Sequence, residues 1–178
     1  MMFISLGLGA ALAIALIVVV SLLTGGTVKA TGNQPVNAMV GKSVKGFRLA
    51  GLNGGSIGAP YAQGHPTVLI FFASWCEPCK AEMPKVAAYL RSHNEGSVRI
   101  VGIDTNDQRA NGRKFVSDAG VTFPVAFDPS TTISNGIFQL QAIPDTVFVN
   151  AHGVVTQVYQ GAIPTGQLAQ DIAALKRA

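Results

Sequence analysis

From Thr67 to Ala73 the chain reads Thr-Val-Leu-Ile-Phe-Phe-Ala, a nearly continuous apolar run. A strand with one wet face alternates polar and apolar residues. One that is apolar on both faces has to be covered on both, as in the middle of a parallel sheet. A helical pattern follows at once, with Met83, Val86, Ala87 and Leu90 recurring at spacings of three and four from Cys76 onward and fading near His93, Asn94 and Gly96. Pro84 falls inside it, where a kink is expected. A buried strand feeding a helix is half of a βαβ unit, so this stretch predicts an α/β protein with Thr67 to Ala73 as the central strand.

The flanking sequence supplies the other layers. Phe47 to Leu52 alternates before Asn53-Gly54-Gly55, so a short hairpin opens the domain, with a weak partner strand near Ser56 to Ala59. Val98 to Ile103 reads as a second strand, and Asp107 is placed to cap a helix running to Gly120 with Phe115, Val116 and Ala119 on its apolar side. Phe123 to Phe127 reads as strand. Asp128 followed by Pro129 predicts the start of a short helix that Gly136 closes. Thr146 to Val149 and Val154 to Tyr159 flank Asn150-Ala151-His152-Gly153 as an antiparallel hairpin. A final helix, capped by Thr165, carries Leu168, Ile172 and Leu175 on one stripe.

The chain has 178 residues, of which 48% are hydrophobic and only 12% charged. Its beginning accounts for much of that excess. Phe3 to Leu23 contains no charged side chain, and at about 1.5 Å per residue it is long enough to span a hydrocarbon core of about 30 Å. Residues 1–23 are therefore expected to form one transmembrane anchor. Cleavage after Val28-Lys29-Ala30 is the competing expectation, but the apolar stretch exceeds the usual ~7 to 15 residues of a signal-peptide core. Residues 24–46, rich in Gly, Thr and Asn, are read as a flexible linker. Residues 47–178 form the folded domain, about the size of one core.

Lys29 and Lys42 follow the apolar segment and no basic residue precedes it, so the positive-inside rule favours a cytosolic domain. A whole domain can translocate despite modest charge, and a domain meant for the cytosol has little need of a tether. The expectation is accordingly a single-pass protein of the cytoplasmic membrane with its domain on the extracytoplasmic face. The net charge of +4 comes from scattered Lys and Arg, and no phosphate-binding glycine loop occurs. Nucleic-acid and nucleotide binding have no support.

The chemistry centres on two cysteines, Cys76 and Cys79, the only ones in the chain. CxxC alone is compatible with metal binding, a structural bridge or redox catalysis. Its setting favours the last. Between a buried strand and a helix, Cys76 lies at a helix N-terminus, whose dipole and free N–H groups stabilise a thiolate. Cys79, three residues on, faces the same side and can displace the mixed disulfide that Cys76 forms. His65, His93 and His152 are isolated, so no metal site is expected, and neither is a bound cofactor.

Together, FFASWCEPCKAEMP, GVTFPVAFDP and IPDTVFVNAHGVV resemble the thioredoxin superfamily, and within it the TlpA/ResA/CcmG group of membrane-anchored thiol-disulfide oxidoreductases, over roughly Phe47 to Leu175. The resemblance implies a thioredoxin-like fold: a mixed central sheet flanked by helices, with an N-terminal hairpin and a strand-helix insert before Pro144. It implies that Pro144 is the family's cis-proline, although residue statistics alone favour trans. It places Trp75, Pro78, Ile143 and Pro144 where substrate binds, with the backbone before Pro144 free to pair with a substrate strand. Glu82 matches an acidic position that exchanges a proton with the cysteines. Read from the residues alone, Glu82 is equally a solvated helix glutamate paired with Lys85. Two departures bear on this. Ile70 stands where thioredoxin has a buried aspartate, which leaves the proton acceptor to be found elsewhere. Asp145 stands where the group usually has Thr, adding a negative charge that opposes thiolate formation, as does Glu77.

The implied function is reduction of protein disulfides outside the cytoplasm, with cytochrome c maturation the favoured pathway. The implied partners are a protein disulfide such as apocytochrome c, a membrane electron donor of thiol-disulfide type, and the bilayer. A thiol peroxidase is the enzymatic rival, because GVTFPVAFDP is similar to the peroxiredoxins. That chemistry needs Thr or Ser three residues before the reactive cysteine, where this chain has Ala73. A metal carrier using the CxxC pair would need a third ligand that the neighbourhood lacks.

Overall fold

A computed structural model describes residues 37–178. The expected anchor, and the expected linker as far as residue 36, lie outside the described residues. The remainder of that linker is docked: Met39 is buried, Gly41 and Val44 donate to Val155 O and Gly153 O (both 2.8 Å), and Ser43 pairs with Val154. The apolar side chains Met39 and Val44 supply what a stalk composition would lack.

The elements are β1 (Arg48–Ala50), β2 (Ser56–Gly58), a 3₁₀ turn (Pro60–Gln63), β3 (Thr67–Phe72), α1 (Glu77–Ser92), β4 (Arg99–Thr105), α2 (Arg109–Asp118), β5 (Val125–Asp128), β6 (Asp145–Val149), β7 (Val155–Gln160) and α3 (Thr165–Leu175). The main sheet has the order β5-β4-β3-β6-β7. β3 runs parallel to β4 and antiparallel to β6, so the apolar run is central as its composition predicts, and every residue of it is buried. β1 and β2 form the expected hairpin, which joins the β5 edge through Gly51–Ala126 pairing and Leu52 N donating to Val125 O (2.8 Å). An edge that would otherwise be open is thereby covered.

The two faces of the sheet are covered differently. Val68, Ile70 and Phe72 point to a core shared with Met83 and Val86 of α1, Phe115 and Val116 of α2, and Leu168, Ile172 and Leu175 of α3. All three helices among the described residues thus pack on one face. Because β3, β4 and β5 step across the sheet in one direction, right-handed crossovers put α1 and α2 on the same side. Leu69 and Phe71 face the other side, against Met39, Phe47, Tyr61, Ile133, Phe138 and Leu140. The helix predicted from Asp128 to Gly136 is replaced there by consecutive turns. The Asp128 carboxylate does gather its chain, but Oδ2 accepts from Ile133 N (3.1 Å), Ser134 N (3.0 Å) and Ser134 Oγ (3.1 Å), five and six residues on, wrapping a loop instead of capping a helix. Two other predicted caps also differ: Thr165 is the first residue of α3 with Pro164 before it, and Asp107 serves a different partner, described below.

Candidate active site

Cys76 is the N-cap residue of α1, in extended backbone conformation, and its Sγ accepts from Cys79 N at 3.2 Å. Pro78 sits in the first turn, where a missing N–H costs nothing. The pair is a Cys76–Cys79 disulfide with Cα atoms 5.2 Å apart, and both residues are buried. Trp75 beside them is 55% exposed, the large apolar side chain left open to solvent among the described residues, and Pro78 is exposed too. A helix start with free N–H groups at sulfur is the setting that favours thiolate over thiol.

The β5–β6 connection brings the second half of the site. The Ile143–Pro144 peptide is cis, and Ile143 O lies 3.7 Å from Cys76 Sγ. The Ile143 carbonyl is thus brought to the Cys76 sulfur although 67 residues separate the two, with Pro144 next along the chain and Trp75 and Pro78 on either side of Cys76 in sequence. Beside them a cleft of about 380 Å³ runs between Trp75, Asn106, Asn135, Gln141 and Ile143.

Glu82 is not on a solvated face. It is 4% exposed, and Lys85 is not its partner. Instead Oε1 accepts from Ile163 N at 2.7 Å, and Oε2 has no partner. Burial pushes its carboxyl up to about 7, the Ile163 bond pulls it down, and the charge of Asp145 pushes it up further. Asp145 is also buried, with Oδ1 accepting from Gly161 N at 3.1 Å, and burial raises it to about 6. Two carboxyl groups thus hold the Gly161–Ile163 segment from beneath and repel one another's charged forms.

Sequence reasoning gave the loop after β4 a helix cap, Asp107, but no part in the site. Asp107 does not cap α2, whose N-cap is Gln108 without a side-chain bond. Its carboxylate accepts from Ser74 N (2.5 Å), Ser74 Oγ (2.9 Å) and Gln108 N (2.6 Å), and Trp75 Nε1 donates to Asn106 O (2.8 Å). The signal that could have exposed this region is Asp104, an acid directly after the apolar stretch Ile100 to Ile103. Among the described residues no three His, Cys, Asp or Glu side chains are grouped to hold an ion.

Residues 40–158 match the AhpC/TSA family. The chain is 27% identical over 134 residues to the thiol-disulfide oxidoreductase ResA of Halalkalibacterium halodurans, covering 75% of each protein. Among solved structures it is similar to MTB DsbF, in mixed oxidised and reduced forms, with 29% identity and a TM-score of 0.64 over 72% of this chain and 94% of that one. It is also similar to a secreted Mycobacterium tuberculosis disulfide oxidoreductase homologous to E. coli DsbE, with 27% identity and a TM-score of 0.63 over 72% and 96%.

Proposed function

The chain belongs to the AhpC/TSA family and is a thiol-disulfide oxidoreductase of the ResA/DsbE type, and from that premise we propose that it reduces protein disulfides outside the cytoplasm while held to the cytoplasmic membrane by residues 1–23. One observation carries the reading: Cys76 Sγ sits on the N-terminus of α1, bonded to Cys79 and facing the Ile143 carbonyl. In the dithiol form, the Cys76 thiolate attacks one sulfur of a substrate disulfide. A mixed disulfide forms, and the substrate's other sulfur leaves as thiolate. Cys79 then loses its proton and attacks Cys76 Sγ, closing the Cys76–Cys79 bond and releasing the substrate as a dithiol, two electrons richer. A membrane thiol-disulfide donor restores the reduced pair.

The Cys79 proton needs an acceptor, and Glu82 stands one helical turn away with its carboxyl raised to about 7, so near neutral pH it can take a proton and return it. Trp75 and the cis-Pro144 backbone hold the substrate strand. Cytochrome c maturation, with apocytochrome c as substrate, is the pathway proposed from the likeness to the ResA and DsbE proteins. The secreted state of the M. tuberculosis relative supports an extracytoplasmic domain. The peroxidase alternative has little to work with, since the position three residues before Cys76 is the buried, non-donating Ala73.

A Cys79→Ala variant expressed in membranes tests the reading. It should accumulate mixed disulfides between Cys76 and extracytoplasmic proteins, with cysteine pairs of c-type apocytochromes among them. Capture of cytosolic proteins alone would place the domain on the other side of the membrane. Rapid consumption of peroxide by the wild type would favour the rival.

A further inference from the structure

Asp104, the penultimate residue of β4, is fully buried, and no donor reaches either of its carboxylate oxygens. An ionised carboxylate left bare in this way is strongly disfavoured against its neutral form. The fold nevertheless makes room for it. Gly112 lies within α2, where glycine is a weaker helix former than alanine, and a Cβ there would overlap Asp104 Oδ2. The helix can cross the strand only because position 112 has no side chain.

What Asp104 sits beside is the loop that holds the active site. Asn106 is in the left-handed region (φ +50°), a conformation asparagine tolerates, and this turns its carbonyl to Trp75 Nε1 and the next carboxylate, Asp107, to Ser74. Asp107 takes three donors, as an ionised group would. Ser74 and Trp75 are the two residues before Cys76, so their anchorage fixes where the Cys76 sulfur begins. A negative charge on fully buried Asp104 would repel that of half-buried Asp107, with no water at the Asp104 end to screen it.

We propose that Asp104 and Asp107 form a one-proton carboxyl pair, Asp104 neutral and Asp107 ionised, that positions the Ser74–Trp75 loop ahead of Cys76. Both are positioning residues, since neither meets substrate. Burial first, then the charge of Asp107, and then a hydrogen bond to the Asp107 carboxylate that only protonated Asp104 can donate, push the Asp104 carboxyl up to about 8. Arg109, from the first turn of α2, acts against them, but its guanidinium is engaged with Gly51 O (2.7 Å) and Leu52 O (3.1 Å) and lies over the Phe127 ring. The strand neighbours in register with Asp104 are Phe72 and Phe127, both uncharged. When Asp104 ionises above pH 8, the second charge loosens the hold on Ser74 and Trp75.

Trp75 is the single tryptophan of the chain, so its emission reads the loop directly. The disulfide form is used because its cysteines do not titrate, and the result is then independent of the direction of electron flow or the compartment proposed above. The inference itself rests on Cys76 being the attacking thiol. Oxidised wild type should show a fluorescence transition centred near pH 8. Asp104→Asn, which fixes the neutral state, should abolish that transition, while any contribution from Glu82 or Asp145, centred lower, remains. Persistence of the transition in Asp104→Asn would overturn the pair. Should that variant fail to fold, the side-chain carboxyl carbon of Asp104 can be titrated by NMR in the wild type. A midpoint in the ordinary carboxylate range, below about pH 5, would refute the proposal. Loss of the transition together with failed trapping in Cys79→Ala would leave the pair standing and remove the functional reading alone.

Discussion

Replacing Glu82 with Gln removes a charge and almost no volume, which isolates the electrostatic cost of this buried acid. Gln can keep the bond from Ile163 N through its carbonyl oxygen, and its NH2 group takes the place of Oε2, which already lacks a partner. The unpartnered donor costs about 1–3 kcal/mol, but that cost is the same at every pH. The wild type behaves otherwise. Its Glu82 carboxyl rises from an ordinary 4.5 to about 7 on folding, chiefly through burial. An acid raised in this way makes the folded state bind the proton more tightly. Its stabilising contribution is whole below pH 4.5, declines as pH climbs, and is gone above pH 7. At about 1.4 kcal/mol for each pH unit, the full loss is about 3 kcal/mol. Urea unfolding of the two disulfide-bonded proteins at pH 4, 6 and 8 measures it. Glu82→Gln should gain about 3 kcal/mol on the wild type between pH 4 and pH 8, whichever is more stable at the start. Parallel stability curves would refute the claim that Glu82 is buried as an acid, and with it the case for a proton acceptor tuned to neutral pH. In reduction of a protein disulfide the same variant should be slower by about tenfold or more, with an altered pH profile.

Three further outcomes are expected. Gly112→Ala should lower the thermal midpoint, because the new methyl meets Asp104 Oδ2 and overpacking costs about 1–3 kcal/mol. In an Asp104→Ala background the same change should be neutral or stabilising, through helix propensity. Asp128→Ala strips the acceptor from Ile133 N and Ser134 N, so it should cost about 1–3 kcal/mol and expose residues 129–142 to limited proteolysis, read by mass spectrometry. Trp75→Ala, at a position 55% exposed, should change stability by less than about 1 kcal/mol. It should still raise KM for a protein disulfide more than for a small aromatic disulfide, since only the former spans the cleft beside Ile143.

Most of the scaffold could be read along the chain because the forces that set it are local or periodic. The run from Thr67 to Phe72 is apolar at every position, so its place between β4 and β6 follows from burial alone. Leu168, Ile172 and Leu175 recur at helical spacing, and all three are buried in α3, with Asp171 beside them. Cys76 and Cys79 lie three residues apart at a strand-to-helix junction, so their approach needs nothing beyond one turn of backbone. Pro144 was recognisable only through its likeness to other proteins. No local rule brings it to Cys76, and its placement depends on β6 pairing with β3.

Tertiary structure decided wherever a polar side chain had a choice of partner. Asp107, Asp128 and Thr165 all look like helix caps in sequence, because a short polar residue before an apolar pattern is how a cap is recognised. Asp107 instead binds Ser74, 33 residues away, Asp128 wraps a loop, and Thr165 leaves the end of α3 to Pro164. Glu82 carries no mark in the sequence that separates a solvated acid from a buried one. Only the return of Ile163 over α1, 81 residues later, removes its water. The same holds for Asp104, whose neighbours Asp107 and Gly112 come from a loop and a helix that pack back on the strand. Hydrophobic periodicity is a sum over many residues and survives any one exception. The state of a single carboxyl depends on the few atoms that displace its water, and the fold alone brings those atoms there.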